Sequence, residues 1–271
     1  MNFELILTNT LEQLLSFVGI VYVVGFIISI LNRAFYSLVG NTRATVYATG
    51  FIGTPIHEIS HALMCILFGH RIVEMKLFQI DSDDGTLGYV KHTSNPRNIY
   101  QQAGNYFIGV APIFVTSVIL YFAMMKFMPE TYREIDLIFG RLSASSADSF
   151  GWFSEFGDIF ASVMGSMLKN SFASVTGFVF FILSMCIALH MNLSPADIKS
   201  SLVAVPLIAV ILAVVNAVLY CIPGTLYNEF LGLMNSAGIF VALMLSLALI
   251  LSVLCVLAAF LVRVVARIIK R

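Results

Sequence analysis

Charged residues are scarce in this chain of 271 residues. They make up only 11% of it, and the 15 Lys and Arg balance the 15 Asp and Glu. A chain without net charge does not attract a polyanion, so we predict no nucleic-acid partner. By contrast, 59% of the residues are hydrophobic and the mean hydropathy is +0.93. Soluble globular domains do not have this composition, which predicts an integral membrane protein in a lipid bilayer.

Cysteine pairs with metal-binding spacing are also missing. The chain has four cysteines without any C-x-x-C pattern, all in or at the ends of apolar runs: Cys65, Cys186, Cys221 and Cys255. Neither a disulfide framework nor a cysteine zinc site is therefore predicted.

Residues 1–12 contain no Lys or Arg. Because a cleavable signal peptide needs a basic start, we expect the first apolar segment to be retained.

Apolar runs long enough to cross about 30 Å of hydrocarbon occur six times. They predict an all-α polytopic membrane protein with about six transmembrane helices, folded as one domain over residues 1–271. The approximate bounds of the runs are Gln13–Leu38, Ala44–Phe68, Gln102–Phe127, Ser171–Met191, Leu202–Ile222 and Ala237–Val262.

Basic residues after the last run set the predicted orientation. Arg263, Arg267, Lys270 and Arg271 form a cluster that the positive-inside rule places in the cytoplasm. With an even number of crossings, both termini are predicted to be cytoplasmic in a multi-pass protein of the cell membrane.

Two segments between the runs have patterns of their own. Alternating apolar residues in 71–91 predict a small cytoplasmic β-hairpin after the second span. Its acidic turn at 81–85 is interpreted as solvated, since the spacing of an EF-hand calcium loop is absent. The predicted outer-surface loop, about 128–170, contains Trp152 in an apolar pattern of helical spacing. A short amphipathic helix on the membrane surface explains this pattern better than a cofactor box or a seventh crossing.

One polar motif interrupts the second apolar run. His57, Glu58 and His61 form H-E-x-x-H, a spacing that puts both imidazoles on one face of a helix. Such a pair binds zinc, with the glutamate placed to activate a water on the metal. Three ionisable side chains on one turn of a membrane helix need a shared ligand or buried partners. The alternative is histidines that bond to neighbouring helices beside a protonated glutamate.

A catalytic zinc takes three protein ligands, so the sequence must supply one more. Asp197 is the leading candidate, because the predicted topology puts it on the same side as the end of the motif helix. His190, close before it, is a candidate ligand, a hydrogen-bond donor to a ligand, or an interfacial histidine. Glu74 and His70 follow the motif closely but lie in or before the hairpin, which makes them weaker candidates.

These motifs resemble the site-2 proteases, polytopic zinc proteases that cut proteins within or beside the membrane. His57, Glu58 and His61 match the family's zinc motif position by position. Asn192, Pro195 and Asp197 look like a shortened form of its later motif, with Ile198 in place of a glycine. The resemblance extends loosely over residues 44–202, including the hairpin and a third span rich in small residues.

The resemblance implies a zinc-dependent intramembrane endopeptidase whose substrates are membrane-embedded proteins or peptides. Glu58 would activate water, and Asn105 or Asn192 would bind the substrate backbone or the oxyanion. The rival hypothesis is a membrane channel, transporter or scaffold that passes protons or metal ions through the His57, Glu58 and His61 cluster. A tethered soluble protease is excluded, since no segment outside the spans is long enough to fold as one.

Overall fold

The computed structural model describes residues 3–40, 42–80, 82, 85–145 and 156–269. A π-helical segment, Leu15–Gly19, joins the first two helices into one continuous rod. The helices in chain order are α1 Phe3–Leu14, α2 Ile20–Val39, α3 Arg43–Leu67, α4 Ile99–Phe127, α5 Pro129–Ser145, α6 Phe156–Ser171, α7 Val175–Ala188, α8 Pro195–Cys221 and α9 Leu226–Ile269.

The chain has the predicted all-α, membrane-type architecture. Among the described residues, four helices are long and apolar enough to cross a bilayer: the α1–α2 rod, α4, α8 and α9. The other two predicted spans are helical as well. However, α7 has only 14 residues, about 21 Å at 1.5 Å per residue, and α3 carries the polar motif. The number of six crossings therefore remains a prediction.

The core lies between three long helices. Helix α9 packs against α2 and α4, and α4 also packs against α3 and α8. The apolar side chains buried at these contacts form one cluster, which includes Ile28, Ile113 and Leu251, all without solvent exposure. Because α4 contacts both α3 and α8, it brings the start of α8 next to the motif on α3.

A two-stranded antiparallel sheet follows α3. Strands β1, Arg71–Lys76, and β2, Tyr89–Thr93, pair with Lys76 opposite Tyr89 and with an irregularity after Ile72. On its exposed surface, Glu74 accepts hydrogen bonds from Tyr89 and Lys91, and these bonds lower the pKa of Glu74. The acidic residues Asp81, Asp83 and Asp84 of the predicted turn lie outside the described residues. The cytoplasmic position of the sheet remains a prediction.

In the described part of the predicted outer-surface loop, helices α5 and α6 pack against each other. Ser166 on α6 donates to Thr131 on α5, and Asn170 donates to both side chains. Val163 and Met167 of α6 are buried in the protein core. Trp152, which the sequence pattern assigned to this region, lies outside the described residues.

Candidate metal centre

Helix α3 presents the two motif histidines on one face. His57 and His61 lie four residues apart, and their Nε2 atoms are 3.2 Å from each other. Glu58 and His61 are buried, with 6% and 7% of their surface exposed. The helix begins at Thr42, whose side chain accepts a hydrogen bond from the Thr45 amide. The motif thus lies well inside α3, two residues after Pro55, and helical geometry fixes its spacing.

Asp197 reaches the histidines from the first turn of α8. Its Oδ1 is 3.4 Å from His61 Nε2, while Oδ2 accepts a hydrogen bond of 2.8 Å from the Ser194 amide. In return the Ser194 hydroxyl accepts from the Asp197 amide, which completes a capping box after a helix start at Pro195. The cap turns one carboxylate oxygen towards the backbone and leaves the other for the histidines.

The ligand atoms of His57, His61 and Asp197 all lie within 4.8 Å of one another. This group can hold a metal ion, and it is the one group of at least three such side chains found in the described part of the chain. The structure therefore brings together the three residues that the sequence predicted as ligands.

The tautomers of both histidines follow from their backbone partners. His57 Nδ1 lies 2.6 Å from the carbonyl oxygen of His190, and His61 Nδ1 lies 2.8 Å from that of Ile108. A carbonyl only accepts, so each Nδ1 carries the hydrogen and each neutral ring keeps a lone pair on Nε2. Two lone pairs 3.2 Å apart repel each other unless a metal ion or a proton lies between them. Both rings therefore have the orientation and tautomer of metal ligands.

Interruptions in two helices make these carbonyls available. In a regular helix the Ile108 carbonyl would accept from the amide of residue 112, but that residue is Pro112 and has no N–H. The His190 carbonyl lies just beyond the end of α7, where helical carbonyls have no intrahelical donor. The sequence thus supplies one acceptor through a proline and the other through a helix terminus.

The three candidate ligands open into a cavity of about 500 Å³ that Glu58 also lines. The chain that leads into β2 and the first residues of that strand close one side of it, with Thr86, Gly88, Tyr89 and Val90 in the wall. Gly88 lies directly on α3, because a Cβ there would come within 2.8 Å of Glu58 Cγ. A side chain at position 88 would displace the glutamate, so the close approach requires glycine.

The other predicted site residues lie away from the ligand atoms. The His190 ring contacts hydroxyl groups of α3, with Nε2 3.1 Å from Thr49 Oγ1 and Nδ1 3.4 Å from Thr54 Oγ1. Its backbone carbonyl, by contrast, accepts a hydrogen bond from His57 Nδ1. Of the earlier alternatives, Glu74 pairs with Lys91 on the hairpin, and His70 bonds to a second histidine described below.

The two asparagines predicted to bind substrate are not among the described residues that line this cavity. Asn105 donates within α4 to the carbonyl of Gln102, and Asn192 lines a separate cavity beside α2. Sequence reasoning also missed two residues that position the ligands, Pro112 and Ser194. For Ser194 the signal was present, since a serine three residues before an aspartate at a helix start predicts a capping box.

Comparisons of the chain with protein-family models, with curated proteins and with solved structures find no match. The residues of the site, and the contacts that hold them, are therefore the basis for any assignment of function.

Proposed function

We propose that this protein is a zinc-dependent intramembrane endopeptidase. The observation that supports this most directly is the convergence of two Nε2 lone pairs and one carboxylate oxygen beside Glu58. Two ligands at 2.0–2.1 Å on a tetrahedral zinc are about 3.3 Å apart. The ligand atoms of His57–His61 and of His61–Asp197 are 3.2 and 3.4 Å apart, and all three atoms lie within 4.8 Å of one another. Two nitrogens and one oxygen are a ligand set of catalytic zinc sites, which keep a fourth position open.

The chemistry of hydrolysis then divides between the metal and Glu58. A bound zinc ion would supply Lewis acidity towards the scissile carbonyl and towards a water molecule. Glu58 accepts the proton that water loses as its oxygen bonds to the carbonyl carbon. When the C–N bond breaks, Glu58 passes that proton to the leaving amine. The products are a carboxylic acid, which keeps the second proton of the water, and an amine, and at neutral pH that proton moves on to give a carboxylate and an ammonium group. The glutamate returns to its starting state.

The proposed substrates are membrane-spanning segments of other proteins. With six crossings and cytoplasmic termini, the cavity would open near the cytoplasmic side of the bilayer. A helical substrate hides its amides in i to i−4 hydrogen bonds and must unwind before its carbonyl reaches the metal. Segments with Gly or Pro near the cleavage site should therefore be cut faster than Leu-rich ones. Equal rates for the two kinds of segment would contradict this preference.

A proton or metal-ion channel has less support from the contacts. A metal-ion path needs a series of metal-binding groups, and the described ranges contain one group of three candidate ligands. The neighbouring pair of His92 and His70 does not extend a proton path, because His70 Nε2 bonds to the backbone carbonyl of Gln101. The direct partners of its histidines are backbone carbonyls of α4 and of the chain after α7. Such hydrogen bonds fix the orientation of the two rings, which favours a bound metal ion over one that moves through the protein.

The test separates metal binding from hydrolysis. Purified wild-type protein, Glu58→Gln and His57→Ala are compared for zinc content by elemental analysis and for cleavage of a single-pass protein with a central Gly-Gly pair. We expect about one zinc per chain in wild type and Glu58→Gln, little in His57→Ala, and cleavage by wild type alone. Glu130→Gln, an exposed residue on α5, is the matched control and should cleave normally. A fully active Glu58→Gln protein would refute the assignment.

A further inference from the structure

A second pair of histidines adjoins the candidate metal centre. His92 on β2 lines the same cavity as Glu58, and its Nδ1 lies 3.0 Å from His70 Nδ1. His70 is only 5% exposed, and its Nε2 lies 2.8 Å from the carbonyl oxygen of Gln101. A buried histidine thus connects the start of α4 to a histidine in the cavity wall.

The proton positions in this pair follow from the carbonyl. The Gln101 oxygen only accepts, so His70 Nε2 carries a hydrogen, and neutral His70 keeps its lone pair on Nδ1. His92 must then donate from Nδ1, which leaves a lone pair on its Nε2. Burial, and then the nearby His70 and His61, lower the pKa of His92, which supports a neutral ring. In the part of the chain that the structure describes, no hydrogen bond occupies His92 Nε2.

An unwound membrane segment needs such an acceptor. Opening a helix frees backbone N–H groups, and at membrane depth water does not reach them freely. In the proposed mechanism, the candidate ligands and Glu58 act on the carbonyl and the leaving nitrogen of the bond that is cleaved. His92 adds an acceptor to the same cavity, with its proton position fixed by His70.

We propose that His92 is a substrate-binding residue whose Nε2 accepts a hydrogen bond from a backbone N–H of the unwound peptide. His70 is then a positioning residue that acts through His92. This inference depends on the proposed function, because it takes a peptide as the occupant of the cavity. It adds a substrate contact that lies on the hairpin rather than on the membrane helices.

The test measures peptide binding in a protein that cannot cleave. A fluorescent synthetic peptide with about 20 apolar residues around a central Gly-Gly pair is titrated against Glu58→Gln protein in detergent. The second substitution is either His92→Asn or His92→Gln. An Asn amide can still donate to His70 but puts no acceptor at the Nε2 position. A Gln side chain is longer and brings an oxygen close to that position.

We expect His92→Asn to weaken peptide binding roughly tenfold, the usual effect of one hydrogen bond, and His92→Gln to restore most of it. Peptides with single amide-to-ester replacements locate the donor. One ester should weaken binding to the Glu58→Gln parent but not to the His92→Asn protein, because the two changes remove the same bond.

Three results would overturn the inference. The first is equal binding by the parent and the His92→Asn protein. The second is equal weakening by Asn and Gln together with a lower melting temperature, which would give the histidine pair a purely structural role. The third is no binding to the parent at all, which would also remove the proposed function. Binding with the expected pattern but without cleavage by wild type would leave the peptide contact valid and refute the protease alone.

Discussion

Replacing Pro112 by Ala tests whether a helix interruption holds the metal site. Alanine restores an N–H at position 112, and this group will compete with His61 Nδ1 for the Ile108 carbonyl. Loss of a partner that orients a metal ligand typically lowers metal affinity 10–100-fold. Since the carbonyl is shared rather than removed, we expect the lower end, about tenfold or 1.4 kcal/mol.

The same substitution should affect folding in the opposite direction. Proline in a helix interior is about 3 kcal/mol less favourable than alanine. Pro112 is buried, so Ala also loses the packing of two ring carbons, about 1.6 kcal/mol. The zinc-free Pro112→Ala protein should therefore be about 1.4 kcal/mol more stable than wild type while it binds zinc more weakly. Ordinary destabilisation would not produce this combination.

The assay is competition for zinc with a chromophoric chelator in detergent, combined with thermal unfolding of the zinc-free proteins. Pro206→Ala in α8 is the matched control, because it also restores a helical N–H but lies outside the residues that line the cavity. It should keep wild-type zinc affinity. If Pro112→Ala binds zinc as tightly as wild type, or if both variants weaken binding equally, the carbonyl argument is wrong.

Two further substitutions examine the contacts around the ligands. Ser194→Ala removes the hydroxyl that accepts the hydrogen bond from the Asp197 amide. We expect the free energy of unfolding to fall by about 1 kcal/mol. Because Asp197 is then less well held, zinc affinity in the same competition assay should fall about tenfold. Gly53→Ala places a Cβ 2.6 Å from His190 Cδ2, which should displace His190 with its carbonyl and lower zinc content. Gly140→Ala, where a Cβ would meet nothing within 4 Å, should leave zinc content unchanged, and the same result for Gly53→Ala would contradict the predicted clash.

Two kinds of information in the sequence account for the three side chains that the structure brings together. His57 and His61 share a face because helical periodicity alone puts residues i and i+4 together. Asp197 was within reach because a carboxylate at a helix start, on the predicted side of the bilayer, had few competitors. The six apolar runs are all helical for the same reason, although α9 extends to 44 residues, well beyond the predicted 237–262. The thickness of the hydrocarbon layer limits the length of an apolar run, but a helix can continue beyond that layer.

The two asparagines lie away from the cavity for reasons that depend on how helices rotate and pack. Asn105 was assigned to substrate on residue type, yet its amide bonds within α4 to Gln102. Asn192 faces a different cavity, separated from the metal site by the start of α8. The sequence around each asparagine does not indicate which neighbouring helix or cavity its side chain contacts. His92 was overlooked for the converse reason, since only the pairing of β2 with β1 and its approach to α3 bring it to the cavity.

In the candidate metal centre, the partners of the two histidines come from irregularities of the backbone rather than from additional polar side chains. In a bilayer a ligating histidine needs an acceptor for its second nitrogen, and a buried carboxylate in that role would add an unpaired charge. A main-chain carbonyl accepts without charge, but regular helices keep their carbonyls occupied. Pro112 and the end of α7 each free one carbonyl at the position where a histidine needs it. The site can therefore hold two oriented imidazoles while Asp197 is the single carboxylate among its candidate ligands.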